Sequence, residues 1–281
     1  MVLAFIWILG FTGPAAAGNT AGGYQRVVSL SPAITELIYL LGAQDRLAAN
    51  TIYCNVPEAA KDKEKVGTMT QANVEKIVYM RPDLVIAAPL SSKKQIKTLR
   101  AQGVEVMLKE NPRTFGEMCD LTLDMGRVLG KAGEAASIVD QARTDVGKIA
   151  ARTRDLPRKT VFIQIGMKPL KTVNRDMFIN SYINMAGGIN IAEDEPSWVF
   201  SRENVIRANP DVILIATMGS AKKAREEQRD RWAAFTALKA SATKQIHILD
   251  PDIICSPTPL SFARGLAVVA ALIHPKEMGT P

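Results

Sequence analysis

The side chains best suited to chemistry are few and widely separated in this chain of 281 residues. The cysteines are Cys54, Cys119 and Cys255, and the only histidines are His247 and His274. A metal cage built from several imidazoles needs more histidines than this, and an activated nucleophile needs a base placed beside it. The sequence also lacks G-x-S-x-G, Walker and H-E-x-x-H motifs. Catalysis therefore finds little support in the sequence, and no cofactor is predicted.

Two glutamates occupy matching positions in an internal repeat. Glu75 begins EKIVYMRPDLVIAA, and Glu203 begins ENVIRANPDVILIA 128 residues later. Asn73 and Ser201 stand two residues before them and are predicted helix N-caps. A helix-start carboxylate is worth roughly 0.3–1 kcal/mol to the helix itself, so a structural role is the alternative to binding. The repeat favours two similar α/β lobes over a chance match.

The remaining elements must position these residues. Strands are predicted at 26–30, 83–88, 104–108, 160–165, 212–216 and 245–249, and helices at 31–41, 92–102, 114–129 and 132–153. Strands that alternate with helices predict parallel sheets with crossover helices, and a cleft between two lobes is the default small-molecule site. We predict a signal peptide over 1–17, an N-terminal lobe over 24–113, a helical linker over 114–157 and a C-terminal lobe over 158–275.

The N-terminal segment predicts export. Residues 2–11 are an apolar run without charge, followed by Gly13-Pro14 and the small residues 15–17. This pattern is typical of a signal peptide cleaved after Ala17, although no basic residue precedes the apolar run. A buried N-terminal helix is the alternative. The mature protein is therefore predicted to be periplasmic.

The composition excludes several other classes of protein. Hydrophobic residues make up 47% and charged residues 22% of the chain, which excludes a disordered protein. Three cysteines are too few for a disulfide scaffold of this length. The net charge of +7 is spread without a run of five basic residues, so nucleic-acid binding is not indicated.

Several stretches together carry a family resemblance over about residues 26–275. They are RVVSLSPAITELIYLLG, VGTMTQANVEKIVYMRPDLVIA, SRENVIRANPDVILIA and ALIHPKEM. In this order and spacing they resemble the periplasmic substrate-binding proteins of ABC importers for cobalamin, haem and ferric siderophores. The resemblance implies two α/β lobes joined by one long backbone helix and a monomer that delivers its ligand to a permease dimer with an ATPase. It also implies that Glu75 and Glu203 dock onto permease arginines.

The resemblance further implies a ligand cleft lined by loops. The matching positions are Tyr53, Cys54, Met69, Met167, Trp198, Cys255 and Ser256. Tyr53 matches a ring-contacting tyrosine of cobalamin-binding members, whereas Met69 replaces a tryptophan and Trp198 is displaced by one position. The ligand is therefore expected to be a corrinoid first, then haem, then a ferric siderophore. Its metal could take an axial ligand from Tyr53, Cys54, Met69 or Cys255.

Alternatives remain for these residues and for the whole protein. Met69 and Met167 could be ordinary core residues, and Trp198 could anchor its lobe. Cys54 and Cys255 could face one another across the cleft or be independent thiols. The rival functions are a periplasmic metallochaperone or enzyme acting on a metallo-tetrapyrrole, and a ligand sensor without a permease.

Overall fold

The computed structural model describes residues 23–217, 221–255 and 258–279. The predicted signal peptide and Ser256 lie outside these residues. Within them, none of the helices combines the length and the apolar character of a membrane-spanning segment.

The first half of the chain forms a parallel five-stranded sheet. Its strands are Val27–Ser29 (β1), Leu47–Asn50 (β2), Glu64–Lys65 (β3), Leu84–Ala87 (β4) and Val106–Leu108 (β5). They pair in the order β3-β2-β1-β4-β5. The helices of this lobe are Pro32–Leu40 (α1), Val74–Tyr79 (α2) and Lys93–Ala101 (α3), with a 3-10 turn at Glu58–Asp62.

Two helices follow, and then a second parallel sheet. The helices are Phe115–Val128 (α4) and Ala132–Thr153 (α5). The later strands are Lys159–Gln164 (β6), Gly166–Met167 (β7), Leu170–Lys171 (β8), Gly188–Asn190 (β9), Val212–Ile215 (β10) and Ile246–Ile248 (β11). The order β11-β10-β6-β9 is parallel throughout, and β7 and β8 form an antiparallel hairpin. The helices of this lobe are Ile179–Met185 (α6), Arg202–Ala208 (α7), Lys222–Ala233 (α8), Lys239–Ala242 (α9), Pro251–Cys255 (α10), Pro259–Ile273 (α11) and Pro275–Met278 (α12).

The two repeated units start with the same helix cap. The side chain of Asn73 accepts a hydrogen bond from the backbone N–H of Lys76, and that of Ser201 accepts one from Asn204. Each bond satisfies a donor that the first turn of a helix leaves without a partner. The predicted caps of α2 and α7 are therefore confirmed.

The Pro-Asp turns of the repeat also match. Arg81 and Asn209, the residues before the two prolines, have φ of 48° and 47°. The carboxylate of Asp83 then accepts the backbone N–H of Arg26 at 2.9 Å, and that of Asp211 accepts the backbone N–H of Thr160 at 2.9 Å. Each aspartate thus fixes the start of a neighbouring strand, β1 in one lobe and β6 in the other.

Both α4 and α5 contribute to the cores of both lobes. In α4, Met118 packs in the core of the C-terminal lobe and Met125 in that of the N-terminal lobe. In α5 the order is reversed, with Ala135 in the N-terminal core and Val146 in the C-terminal core. A side chain at Gly126 would overlap Ala135, so glycine permits the close approach of the two helices. The two-lobed α/β fold and the long connecting helix, here α5, are therefore confirmed, while the boundaries drawn at 114 and 157 stay predictions.

Candidate ligand cleft

A cavity of about 240 Å³ lies between the two lobes. The N-terminal lobe contributes Ser31, Pro32, Ala33, Met69, Ala88 and Leu90 to its wall. The remaining wall residues are Asn111, Pro112, Met118, Phe178 and Cys255. The cavity therefore needs both lobes and the start of α4 for its walls.

Parallel strands bring these residues to one edge. Ser31 follows β1, Ala88 follows β4, and Cys255 lies at the end of α10, which follows β11. In open α/β sheets the carboxyl ends of the strands form the ligand crevice. The cleft therefore lies where the topology of both sheets predicts it.

Ser31 lies between β1 and α1. It occupies the N-cap position of α1, but its side chain makes no capping hydrogen bond. Its carbonyl oxygen accepts the hydroxyl of Ser29 at 2.9 Å. Ser31 is 5% exposed and lines the cavity. Its side chain is thus a polar group at the cavity wall.

Two of the predicted site residues, Met69 and Cys255, lie in the cavity wall. They come from opposite lobes, and both are partly exposed. The thiol of Cys255 donates to the carbonyl oxygen of Ala216 at 3.4 Å. Together with Met118, the cleft wall therefore contains one thiol and two thioethers, which are soft ligands for a metal.

Tyr53, Trp198 and Met167 lie outside the cavity wall. Tyr53 is 55% exposed in the loop after β2, and Trp198 is 53% exposed in the loop before α7. The ammonium of Lys171 lies 4.8 Å from the centre of the Trp198 ring, and Met167 is half-buried in the β7–β8 hairpin. Tyr53 and Trp198 are thus exposed aromatic side chains on opposite lobes, and Lys171 covers one face of the Trp198 ring.

Cys54 does not fit its predicted place in the site. Its side chain is fully buried, and its sulfur lies 3.2 Å from the hydroxyls of both Thr35 and Thr51. This enclosure argues against contact between the Cys54 thiol and a ligand. No disulfide joins any of the three cysteines, all of which the structure describes. Cys54 instead supports the loop that carries Tyr53.

The other ionisable core residues carry no site. Burial raises the pKa of the Cys119 thiol and lowers the pKa of His247 and of His274. His274 is 1% exposed at the end of α11. In the part of the chain that the structure describes, no group of histidine, cysteine, aspartate and glutamate side chains is arranged to hold a metal ion.

Glu75 and Glu203 are both exposed in the first turns of α2 and α7. Hydrogen bonds from its own backbone N–H and from the Ser201 hydroxyl lower the pKa of Glu203. Neither glutamate lines the cavity. The structure therefore leaves both carboxylates available to a partner on the surface.

The chain is similar to proteins of known class. The family model described as "Periplasmic binding protein" matches residues 27–253. An uncharacterized ABC transporter substrate-binding lipoprotein of Bacillus subtilis is 30% identical over 259 residues, which is 89% of this chain and 80% of that protein. A vitamin B12-binding protein of Yersinia pestis is 31% identical over 196 residues, which is 68% of this chain and 69% of that protein.

A solved structure agrees with these matches. It is a periplasmic solute-binding protein of Staphylococcus epidermidis, described as a possible iron-binding protein, with 25% identity and a TM-score of 0.77. The match covers 89% of this chain and 99% of that one. These proteins bind substrates for transport rather than convert them. The chain therefore belongs to the periplasmic binding protein family, as the extracytoplasmic solute-binding component of an ABC importer and not an enzyme.

Proposed function

We propose that the protein binds a metal chelate, with a corrinoid as the first choice, in the periplasm after removal of residues 1–17. The observation that carries this proposal is the cavity wall. Among the described residues, it contains no carboxylate, ammonium or guanidinium side chain. Burying a charged ligand group without an opposite charge is costly. Corrinoids carry amides around the ring, whereas haem carries carboxylates and ferric siderophore complexes are commonly anionic, so the wall favours the corrinoid.

The cavity is smaller than a macrocycle requires. Its volume of about 240 Å³ is below the ~300–1,000 Å³ of typical small-molecule sites. A flat chelate therefore has to extend from the cavity into the mouth of the cleft. There Tyr53 and Trp198 offer broad faces at low conformational cost, with Met167 beside them as an adaptable apolar contact. Ser256 belongs to the same proposed site because it directly follows Cys255.

The polar groups of the wall supply orientation. Ser31 and Asn111 can hydrogen-bond to amides at the chelate edge. Met69 and Cys255, which line the cavity, and the exposed Tyr53 are the candidates for an axial bond to the metal. The buried Cys54 no longer belongs to this set.

Titration of the purified protein with cobalamin, haem and a ferric siderophore tests the ligand. We expect cobalamin to bind most tightly, at one molecule per chain. The visible spectrum and equilibrium dialysis measure the binding of each ligand. Tighter binding of haem or the siderophore would contradict the first choice. A carrier should release its ligand unchanged. The alternative, a metallochaperone or enzyme acting on a metallo-tetrapyrrole, would release a converted product or the metal without its ring.

We further propose that a monomer docks onto a permease dimer through Glu75 and Glu203. The support is their matched, exposed positions, one in each lobe. Charge pairs at the rim of an interface act mainly on encounter and register and weaken with salt. Two such points fix an orientation that one point alone leaves free.

Replacing both glutamates with alanine should lower uptake and permease binding while leaving chelate affinity unchanged. The single changes should be milder, and Glu75→Lys with Glu203→Lys should be worse than alanine because like charges then meet. The measurements are transport and pull-down with the cognate permease.

A matched control separates docking from helix stability. Glu134 and Glu277 are also exposed glutamates in first helical turns. Glu134→Ala with Glu277→Ala therefore removes the same charge and a comparable helix-start effect, together with the ion pair of Glu134 and Lys131. Uptake equal to wild type in the Glu75/Glu203 variant would refute docking. Loss of chelate binding in that variant would place the glutamates in the site.

A further inference from the structure

A second cavity, of about 540 Å³, lies between the two lobes beside α1. Side chains from both lobes form its wall, among them Glu36, Tyr39, Leu40, Val56, Thr258, Leu260 and Arg264. This lateral cavity shares no wall residue with the cleft cavity described above. Its volume falls within the ~300–1,000 Å³ of typical small-molecule sites, so it is large enough to hold part of a ligand.

The two cavities adjoin along α1. Ala33 borders the cleft cavity, whereas Glu36 and Leu40 border the lateral cavity. Residues three or four apart lie on the same face of a helix, so these side chains form one row with steps of about 5 Å. In the C-terminal lobe, Cys255 borders the first cavity and Thr258 the second. A ligand too large for the cleft cavity can therefore continue along α1 into the lateral cavity.

Arg264 gives the lateral cavity a chemistry that the cleft cavity lacks. Of the residues that the structure describes, it is the only lysine or arginine in the wall of either cavity. Its guanidinium carries a planar set of N–H donors that matches the geometry of a phosphate group. Glu36 lies in the wall on the opposite lobe and can accept hydrogen bonds from hydroxyl groups. The wall thus suits a phosphate on the α11 side and hydroxyls on the α1 side.

The apolar part of the wall suits a flat aromatic group. Tyr39 is half-buried, and its hydroxyl donates to the carbonyl oxygen of Ala59 at 3.0 Å, which holds the phenol ring in the wall. Leu40, Val56 and Leu260 add apolar surface from both lobes. Aromatic rings bury a large area on surfaces of this kind. Together with the phosphate and hydroxyl positions, the lining therefore matches the three parts of a nucleotide.

We propose that the lateral cavity binds the nucleotide tail of a corrinoid, with the phosphodiester at Arg264 and the base against Tyr39. A complete corrinoid carries one such tail, in which a phosphodiester, a sugar and a heteroaromatic base extend from the edge of the ring. The wall of the cleft cavity has no cation for the phosphodiester, and burial of an anion without an opposite charge is costly. The inference rests on the proposed function, because it takes the ligand to be a corrinoid, and it adds a preference for the complete molecule.

Equilibrium dialysis with cyanocobalamin and with dicyanocobinamide tests this inference. Cobinamide has the same ring and the same ring amides but ends before the phosphate, so it lacks the whole nucleotide tail. The test variant is Arg264→Gln, which keeps most of the side-chain length and removes the charge. The control variant is Arg231→Gln, because Arg231 is an exposed arginine in the last turn of α8 that lines neither cavity. Circular dichroism verifies that both variants are folded.

We expect wild type and control to bind cyanocobalamin about tenfold or more tightly than dicyanocobinamide, which is the usual scale for one hydrogen bond to a charged group. The test variant should lose this preference while binding dicyanocobinamide like wild type. Equal affinities of wild type for the two corrinoids, or an unchanged preference in the test variant, would overturn the inference and leave the proposed function standing.

Two further outcomes separate the inference from the proposed function. If Arg264→Gln weakens both corrinoids equally, Arg264 acts on the ring or on the fold, and the nucleotide site is overturned. If wild type binds neither corrinoid, the proposed ligand is refuted, and the inference is refuted with it.

Discussion

Loss of both aromatic side chains proposed for the mouth of the cleft, in the variant Tyr53→Ala with Trp198→Ala, is expected to remove most of the affinity for the proposed chelate. Truncation of a buried aromatic anchor costs roughly 1–3 kcal/mol, which is about 5- to 150-fold in the dissociation constant. The two side chains belong to different lobes, so their losses should roughly add. Both lie in exposed loops, so the folded state should survive.

Titration by absorbance, with circular dichroism to verify folding, measures this effect. Tyr79→Ala is the matched control, because Tyr79 is 87% exposed on α2 and has no proposed ligand contact. It should bind like wild type. Unchanged curves for both single variants at Tyr53 and Trp198 would mean that the mouth of the cleft is not the binding surface.

The largest effect on stability is expected from Phe262→Ala. The Phe262 ring stacks on Tyr182 at 4.3 Å and on Phe115 at 5.0 Å between ring centres. It is fully buried and joins α11 and α6 of the C-terminal lobe to the start of α4. Truncation of a core phenylalanine costs about 3–5 kcal/mol, since it loses apolar burial and leaves a cavity.

Denaturant unfolding gives the free energy for this variant. Phe262→Leu is the matched comparison, because it keeps most of the volume and should lose clearly less. Phe235→Ala is the surface control, since Phe235 is 38% exposed. A loss below about 1 kcal/mol for Phe262→Ala would mean that the core closes around the gap.

The sequence was most informative where local rules determine structure. The predicted helices 92–102, 114–129 and 132–153 correspond to Lys93–Ala101, Phe115–Val128 and Ala132–Thr153. The six predicted strands are all present, each within about two residues of its predicted ends. Caps, apolar runs and the Pro-Asp turns are properties of short windows, so a single sequence contains enough information to place them.

The site was harder to predict because it depends on contacts between distant segments. Tyr53 and Cys54 are adjacent, yet one is largely exposed and the other is enclosed by Thr35 and Thr51. Loop residues follow no periodic pattern that separates inward from outward side chains. The position of Thr35 relative to Cys54 is set only when α1 packs beside β2.

Other wall residues gave no local signal at all. Asn111 and Phe178 line the cavity from segments 67 positions apart. Met118 lies on the apolar stripe of α4, where it is indistinguishable in sequence from a residue that only fills the core. These residues become part of a site because α4 begins at the cleft and packs on the C-terminal lobe.

The matching positions of Glu75 and Glu203 bear on how the protein and its proposed permease associate. A single charged contact leaves rotation about that contact free, so many encounters end in an unproductive orientation. In the proposed docking, each lobe brings the same carboxylate on the same kind of helix start. A partner built from two identical halves can then meet each lobe with the same basic surface, so one type of contact serves both ends of the protein.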